Sequence, residues 1–160
     1  MTRIRAAVCH EFGAPFRVEE VELAAPTGAE VEVTLAACAI CHSDISYANG
    51  AWGGALPAIY GHEDRGIVTL IRACGTCPSC VNARPTICMS AEPTAPIKTP
   101  GGAEVLQAMH CGAFAEKVVV DPSQIAAIPE TIPSDAASLL SCGVITGVGA
   151  VINAGKVQPG

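Results

Sequence analysis

Four cysteines, Cys74, Cys77, Cys80 and Cys88, stand in the pattern C-x2-C-x2-C-x7-C. Four thiolates can surround one Zn(II) at about 2.3 Å each, and close spacing lets one tight loop deliver three of them from the same side. Gly75 and Pro78 suit such a loop, and Pro85 bends the chain back so that Cys88 closes the tetrahedron. The pattern predicts a closed structural metal site. Three other readings compete. A ferredoxin-type iron–sulfur run ends C-x3-C-P after two C-x2 steps, whereas seven residues precede Cys88 here and Met89 follows it. A zinc deaminase carries H-x-E with P-C-x-x-C. In this chain the proline lies inside the pair, as Cys77-Pro78-Ser79-Cys80, and His62-Glu63 lacks the intervening residue. The plain reading is reduced thiols packed as small apolar side chains; four at this spacing argue against it.

A second set of chemistry-bearing residues is scattered along the chain: Cys41-His42-Ser43-Asp44, Gly61-His62-Glu63 and Cys142-Gly143. Each is weak alone, because a lone cysteine in an apolar run such as Leu139-Leu140-Ser141-Cys142 is usually core and a lone histidine is usually just hydrogen-bonded. Together they offer two thiolates and an imidazole. A zinc held by three protein groups keeps one position open for water or substrate. Asp44 and Glu63 supply carboxylates, one of which could fix the imidazole tautomer. Ser43 offers a hydroxyl able to pass a proton outward, or a helix N-cap, or both.

With these residues in this order, the sequence resembles the zinc-dependent alcohol dehydrogenases of the medium-chain superfamily. The resemblance rests on Cys41-His42-Ser43-Asp44, Gly61-His62-Glu63, the four-cysteine knuckle and Cys142-Gly143-Val144-Ile145-Thr146-Gly147, and runs from about Arg5 to Gly160. It covers only the N-terminal, GroES-like half of such an enzyme. It implies a mainly β fold with short helices, a GroES-like, partly open β-barrel carrying a zinc-binding lobe, with the Rossmann domain absent. Residues 1–155 form that domain, the lobe occupies about 73–90, and 156–160 begin a linker to a cofactor domain. Cys41, His62 and Cys142 become the ligands of a catalytic zinc, and Cys74, Cys77, Cys80 and Cys88 those of a structural zinc. Glu63 becomes the acidic residue behind the metal, Asp44 the partner of the ligand histidine, and Ser43 the first hydroxyl of a proton relay. His42 takes a position that touches the pyrophosphate of NAD or NADP. The implied reaction is oxidation of an alcohol to an aldehyde or ketone, or its reverse, with hydride passing to or from nicotinamide. Full-length members imply a homo-oligomer.

The sequence departs from this family in two ways. No G-x-G-x-x-G follows a strand; Gly143, Gly147 and Gly149 stand at the wrong spacing. Only eleven residues separate His62 from Cys74, and Asp64-Arg65 replaces the small residues expected after His-Glu. A deletion between 63 and 73 is the expectation, with one or two strands lost and sheet edges left unpaired. The 160-residue chain alone is then expected to bind zinc but to oxidise no alcohol at a useful rate. The competing classes are a non-enzymatic zinc-binding fragment or decayed homologue, and a chaperonin-like ring subunit, which shares the barrel but has no need for the cysteines.

The elements that must position these groups are short. Of 160 residues, 16 are glycine and 12 proline, too much turn chemistry for a helical bundle. Only 4% are aromatic, so the core must be Val, Ile, Leu and Ala. Alternation predicts strands at Arg3–Val8, Phe16–Leu23, Glu30–Leu35, Gly66–Arg72, Ala113–Val120 and Gln124–Ile128. A short helix is expected from His42 to Ala48, closed by Asn49-Gly50. Thr94–Gly102 reads as a loop. Ser134 is expected to cap a helix through Leu140, with a second helix from Gly143 to Ala154. Cys9, Cys38 and Cys111 read as packing, and Trp52, Leu56 and Met109 as candidates for an apolar substrate pocket. The net charge of -6 without a basic cluster argues against nucleic acid. No apolar stretch nears the roughly 20 residues of a membrane span. No signal peptide opens the chain, so a cytoplasmic location is expected, and nine cysteines then point to metal rather than disulfides.

Overall fold

The computed structural model describes residues 1–64, 69–89, 97–158 and 160. Alternation in the first strand, β1 (Thr2–Cys9), turns Ile4, Ala6 and Val8 inward and leaves Arg3 and Arg5 exposed. It pairs antiparallel with β2 (Arg17–Leu23), from Thr2↔Leu23 to Val8↔Arg17. Then follow β3 (Val31–Thr34), β4 (Cys38–Ala39), helix α1 (His42–Ala48), β5 (Ala58–Ile59) and β6 (Glu63–Asp64). The cysteine lobe holds the single-turn helix α2 (Pro78–Val81) and a 3-10 turn at Pro85–Ile87. After it come β7 (Ile97–Lys98), β8 (Glu104–Gln107), β9 (Lys117–Val120), α3 (Ser134–Ser138) and α4 (Gly143–Gly149).

Five strands close a ring in the order β1-β2-β7-β8-β5. The ring is completed by parallel pairing of β5 with β8 and by Val8↔Ile59 and Cys9↔Ala58. The remaining four strands form two separate ladders, β3 with β9 and β4 with β6. The barrel is therefore only partly closed. The expected gap does not fall within the five-strand ring, because ladders of only two residues suffice to join β5 and β7 to their neighbours. Ile4, Val8, Val21, Leu23, Ile59, Ile97 and Val119 fill the ring. Cys111, Val118 and Val120 form a smaller core with Val33 and Leu35, so the expected inward face of β3 packs there. No doubly wound parallel sheet occurs among the described residues.

Several expectations need correction. The Gly66–Arg72 strand falls partly outside the described residues, and 69–72 carry no strand. Ile97–Lys98, read as loop, is a strand because it pairs with both β2 and β8. Gln124–Ile128 is not a strand. Asp121 caps a 3-10 turn at Pro122–Gln124, its carboxylate accepting the Ser123 N–H at 2.9 Å, and that turn ends the β9 ladder. Ser134 does not cap α3; Pro133 stands at the N-cap and Ser134 is the first helical residue. The second helix runs as α4 and then widens into a π turn at Ala150–Ala154. Among the described residues, no single helix is long and apolar enough to cross a membrane.

Candidate metal centres

The lobe is organised by sulfur. Cys77 is the N-cap of α2, with Pro78 at its first position, where a missing N–H costs nothing. Gly75 adopts a φ of +73°, which turns the chain between Cys74 and Cys77. Backbone N–H groups of Cys77, Cys74 and Met89 donate to Cys74 Sγ, Cys88 Sγ and Cys77 Sγ at 3.2, 3.4 and 3.4 Å. The Cys74 and Cys80 sulfurs lie 4.0 Å apart and those of Cys77 and Cys88 3.9 Å apart. All four sulfurs are within 4.8 Å of one another. A tetrahedron with bonds of about 2.3 Å has edges of about 3.8 Å, so the sulfur set fits a zinc ion. From 71 to 89 no residue is fully buried, and Val81, Ile87 and Met89 are exposed. The lobe therefore has no apolar core of its own to hold its shape.

Donors from the Thr76 and Cys77 backbone pull the Cys74 thiol down to about 5. Burial and the neighbouring cysteines push Cys80 up to about 12. One sulfur is thus prepared as a thiolate, whereas another holds its proton at neutral pH and would release it to solvent on binding a metal.

The second centre is assembled from distant segments. Cys41 is the N-cap of α1, and Asp44 on the first turn is only 2% exposed. One carboxylate oxygen of Asp44 accepts the Cys41 N–H at 2.9 Å. The other accepts the Gly61 N–H at 3.0 Å and faces His62 Nδ1 at 3.1 Å. Asp44 therefore ties the helix start to the Gly61-His62 segment. Gly61 has a φ of +94°, and a Cβ there would sit 2.7 Å from the Phe114 backbone nitrogen, so no side chain fits. Ser141, buried just before Cys142, donates to the His62 carbonyl at 3.2 Å and so pins the third segment. Nothing in the sequence pattern marked Gly61 or Ser141 as positioning residues, apart from their adjacency to His62 and Cys142.

These ties bring Cys41, His62, Glu63 and Cys142 together, with one ligand atom from each inside a 4.8 Å span. Cys41 Sγ and Cys142 Sγ are 3.8 Å apart. His62 is fully buried, its Nδ1 engaged by Asp44 and its Nε2 without a hydrogen-bond partner. An orphaned imidazole nitrogen beside two sulfurs and a carboxylate fits a zinc ion. Burial pulls the His62 pKa down, but Asp44 and the Cys41 sulfur outweigh it and leave it raised. Burial pushes Cys41 up, yet the Ser43 N–H and hydroxyl, with Cys142 and His62, bring it below the ordinary thiol value. Burial and the adjacent Cys41 push Cys142 up to about 11.

Ser43 is thus beside a candidate ligand but is not the cap. His42 is exposed, with Nδ1 3.3 Å from Ser46 Oγ. Trp52, Leu56 and Met109 are not among the residues that line an apolar groove beside α1. Trp52 is 58% exposed and edge-on to Tyr47, while Leu56 and Met109 pack against a core that contains Cys9 and Tyr60. The groove, of about 680 Å³, lies between Phe16, Val18, Ile40, Ile45 and Phe114 with Asp44 in its wall. Cys9 and Cys111 are buried in cores, and Cys38 lines that groove. Both groups of candidate metal ligands come together despite the eleven-residue spacing.

The family model described as "Alcohol dehydrogenase GroES-like domain" matches residues 27–130. The class-3 alcohol dehydrogenase of Cereibacter sphaeroides is 32% identical over 187 residues, covering 99% of this chain and 50% of the relative. Alcohol dehydrogenase 6 of Peromyscus maniculatus is 33% identical over 186 residues, covering 99% and 49%. Among solved structures, an alcohol dehydrogenase zinc-binding domain protein from Burkholderia ambifaria superposes with a TM-score of 0.88 at 27% identity, covering 99% of this chain and 50% of that one. Benzyl alcohol dehydrogenase from Acinetobacter calcoaceticus gives 0.83 at 26%, with the same coverage. The chain spans about half the length of the relatives it matches.

Proposed function

Since the chain belongs to the alcohol dehydrogenase GroES-like domain family, we propose that it is the catalytic-domain portion of a zinc-dependent alcohol dehydrogenase, acting on a small alcohol or aldehyde. The observation that carries this reading is the convergence of Cys41, His62 and Cys142, with the orphaned His62 nitrogen among them. A zinc ion held there would supply Lewis acidity to a substrate oxygen, and NAD or NADP on a cofactor domain would supply the hydride acceptor.

The chain's own residues have definable tasks in this reaction. Asp44 holds the proton of His62 on Nδ1, which keeps Nε2 free as a donor atom. Ser43, beside Cys41, takes the substrate proton at Oγ and passes it outward. Glu63 holds a buried carboxylate at the back of the cluster, within 3.5 Å of the Gly143 nitrogen. Exposed His42 meets the cofactor's pyrophosphate. Cys74, Cys77, Cys80 and Cys88 hold a second zinc that keeps the lobe folded. Relatives align over 187 and 186 residues against 160 in this chain, which supports a chain shortened internally relative to them; the eleven residues between His62 and Cys74 are where we place it.

Positioning of the two reactants contributes about 7–11 kcal/mol to such a reaction. The 160-residue chain alone is therefore expected to show no useful turnover. Fusion of residues 1–155 to the C-terminal half of the Cereibacter sphaeroides relative should give nicotinamide-dependent alcohol oxidation that Cys41→Ala abolishes. A fusion that folds, carries zinc in both clusters and still turns nothing over would favour a non-enzymatic zinc-binding fragment.

A further inference from the structure

The arm that leads into the cysteine lobe, residues 69–73, is clasped by the turn that ends β9. The Thr69 N–H donates to the Gln124 carbonyl at 2.8 Å, and the Gln124 side-chain amide donates back to the Thr69 carbonyl at 2.8 Å. Arg72 Nε donates to Asp121 at 3.2 Å, and the Ala73 N–H donates to Ser123 Oγ at 2.9 Å. The lobe's sulfurs begin one residue later, at Cys74. Gln124 is only 1% exposed. Its Nε2 also donates to the His110 carbonyl at 3.1 Å, while its Oε1 accepts the Asp121 N–H at 3.3 Å. His110 and Met109 are both left-handed without being glycine, with φ of +57° and +54°. Such a conformation persists only where its surroundings hold it. Three residues on, the Ala113 and Phe114 N–H groups donate to the Gly61 and Tyr60 carbonyls at 3.0 and 2.8 Å. Gly61 precedes His62, whose Nε2 lacks a partner. A hydrogen-bonded path therefore runs from the arm of the lobe, through one buried amide and one strained turn, to the segment that positions His62.

We propose that Gln124 is a positioning residue that couples the two metal centres, so that zinc in the cysteine lobe tightens zinc binding at Cys41, His62 and Cys142. The coupling rests on the zinc reading of both clusters. Its two-state element is the arm at 69–73. With the lobe ordered by metal, the arm is held at Cys74 and docks on the turn at 121–124. Without metal, the lobe has no apolar core to hold the arm in place. Release of the arm leaves a buried Gln124 N–H without its acceptor, and the side chain then loosens its hold on His110. Linkage makes the effect mutual, so an ion at the second centre tightens the lobe by the same factor.

The test is zinc titration of the full 160-residue chain against a chromophoric chelator. Cys80→Ser reports the second centre alone, and Cys142→Ser reports the lobe alone. The overall affinity of the parent chain for two zinc ions should exceed the product of the two single-centre affinities by about fivefold or more. In a Gln124→Leu background the same three measurements should show no excess. A residue that merely supports the fold would lower the affinities and leave the excess in place, because effects without coupling add. Amide protection of β1 and β2 establishes that Gln124→Leu is folded. If it unfolds, Ser123→Ala replaces it, since that change frees Ala73 from the turn and keeps Gln124, and it should reduce the excess in the same direction. An absence of excess in the parent chain, or an excess that survives the folded Gln124 or Ser123 variant, would overturn the proposal while both centres still bind zinc. Failure of Cys80→Ser and of the parent chain to take up zinc at Cys41, His62 and Cys142 would instead refute the zinc reading on which the coupling rests.

Discussion

The two cysteine clusters make similar tetrahedron edges by opposite means. In the lobe, four sulfurs come from fifteen consecutive residues, positioned by their own loop geometry and by N–H groups of the same lobe, 3 to 14 residues away. In the second centre, Cys41 and Cys142 are 101 residues apart and meet only because Asp44, Gly61 and Ser141 tie three segments together. The lobe closes around four like donors and leaves nothing for chemistry. The second centre mixes sulfur, imidazole and carboxylate and depends on the whole fold. A local site needs metal to be folded; a dispersed site needs the fold to bind metal.

The largest effect expected from this contrast is metal removal from the lobe. Structural zinc contributes about 10–16 kcal/mol in small zinc-finger peptides, and the lobe has no buried apolar residue to replace it. Cys80→Ser should therefore abolish amide-hydrogen protection across 74–89 while leaving that of β1 and β2 intact. Loss of protection in β1 as well would mean that the two regions are not separable.

Next comes the dispersed centre. Asp44→Ala removes the partner of His62 and two backbone contacts at once. Loss of such a partner typically lowers metal affinity about 10–100-fold, and the unsatisfied groups cost about 1–3 kcal/mol of stability. Zinc competition against a chromophoric chelator and a denaturation midpoint measure the two losses. An unchanged affinity would remove Asp44 from the account of His62.

A third difference concerns protons. Metal binding requires thiolates, so affinity falls as pH falls. Cys80 and Cys142, pushed up to about 12 and about 11, hold their protons at neutral pH and must release them on binding. Cys74, near 5, is already a thiolate there and adds no such dependence. Zinc uptake at both centres should therefore release protons into a weakly buffered indicator solution, and tighten as pH rises from about 6 to 8. Uptake without proton release would contradict the protonation states argued above.

Asp121 provides the smallest effect. Burial raises its pKa, but the Ser123 hydroxyl and N–H and then Arg72 outweigh that and leave it lowered. A depressed carboxylate contributes stability that is complete above its unfolded pKa and is lost as pH falls through the folded one. Asp121→Ala should cost about 1 kcal/mol at neutral pH, the ordinary loss of a cap, and the difference from the parent chain should shrink in acid below about pH 4. A constant difference down to pH 2 would rule out the charge as the cause.

What the sequence revealed followed the same division. The lobe could be read from spacing alone, because its geometry is local. The joining of Cys41, His62 and Cys142 was legible only through resemblance, since no periodicity relates residues 101 apart. Long alternating strands such as β1 and β2 stood out, whereas β4, β5, β6 and β7 have two residues each and no pattern to detect. The Gln124–Ile128 expectation failed because apolar residues after Asp121-Pro122 looked like a strand, while the cap and the proline favour a turn. Candidate pocket residues were less legible for a different reason. Large apolar side chains near a motif, such as Leu56 and Met109, serve the core as readily as a cavity.

The central claim is that one chain carries two zinc centres of different construction. Elemental analysis of the purified chain, beside Cys142→Ser and Cys80→Ser, tests it most directly. The account predicts two zinc ions per native chain and one in each variant, with the ion remaining in Cys142→Ser shielded by the lobe. A single zinc in the native chain that Cys142→Ser leaves unchanged would contradict it, leaving the lobe as the sole metal site.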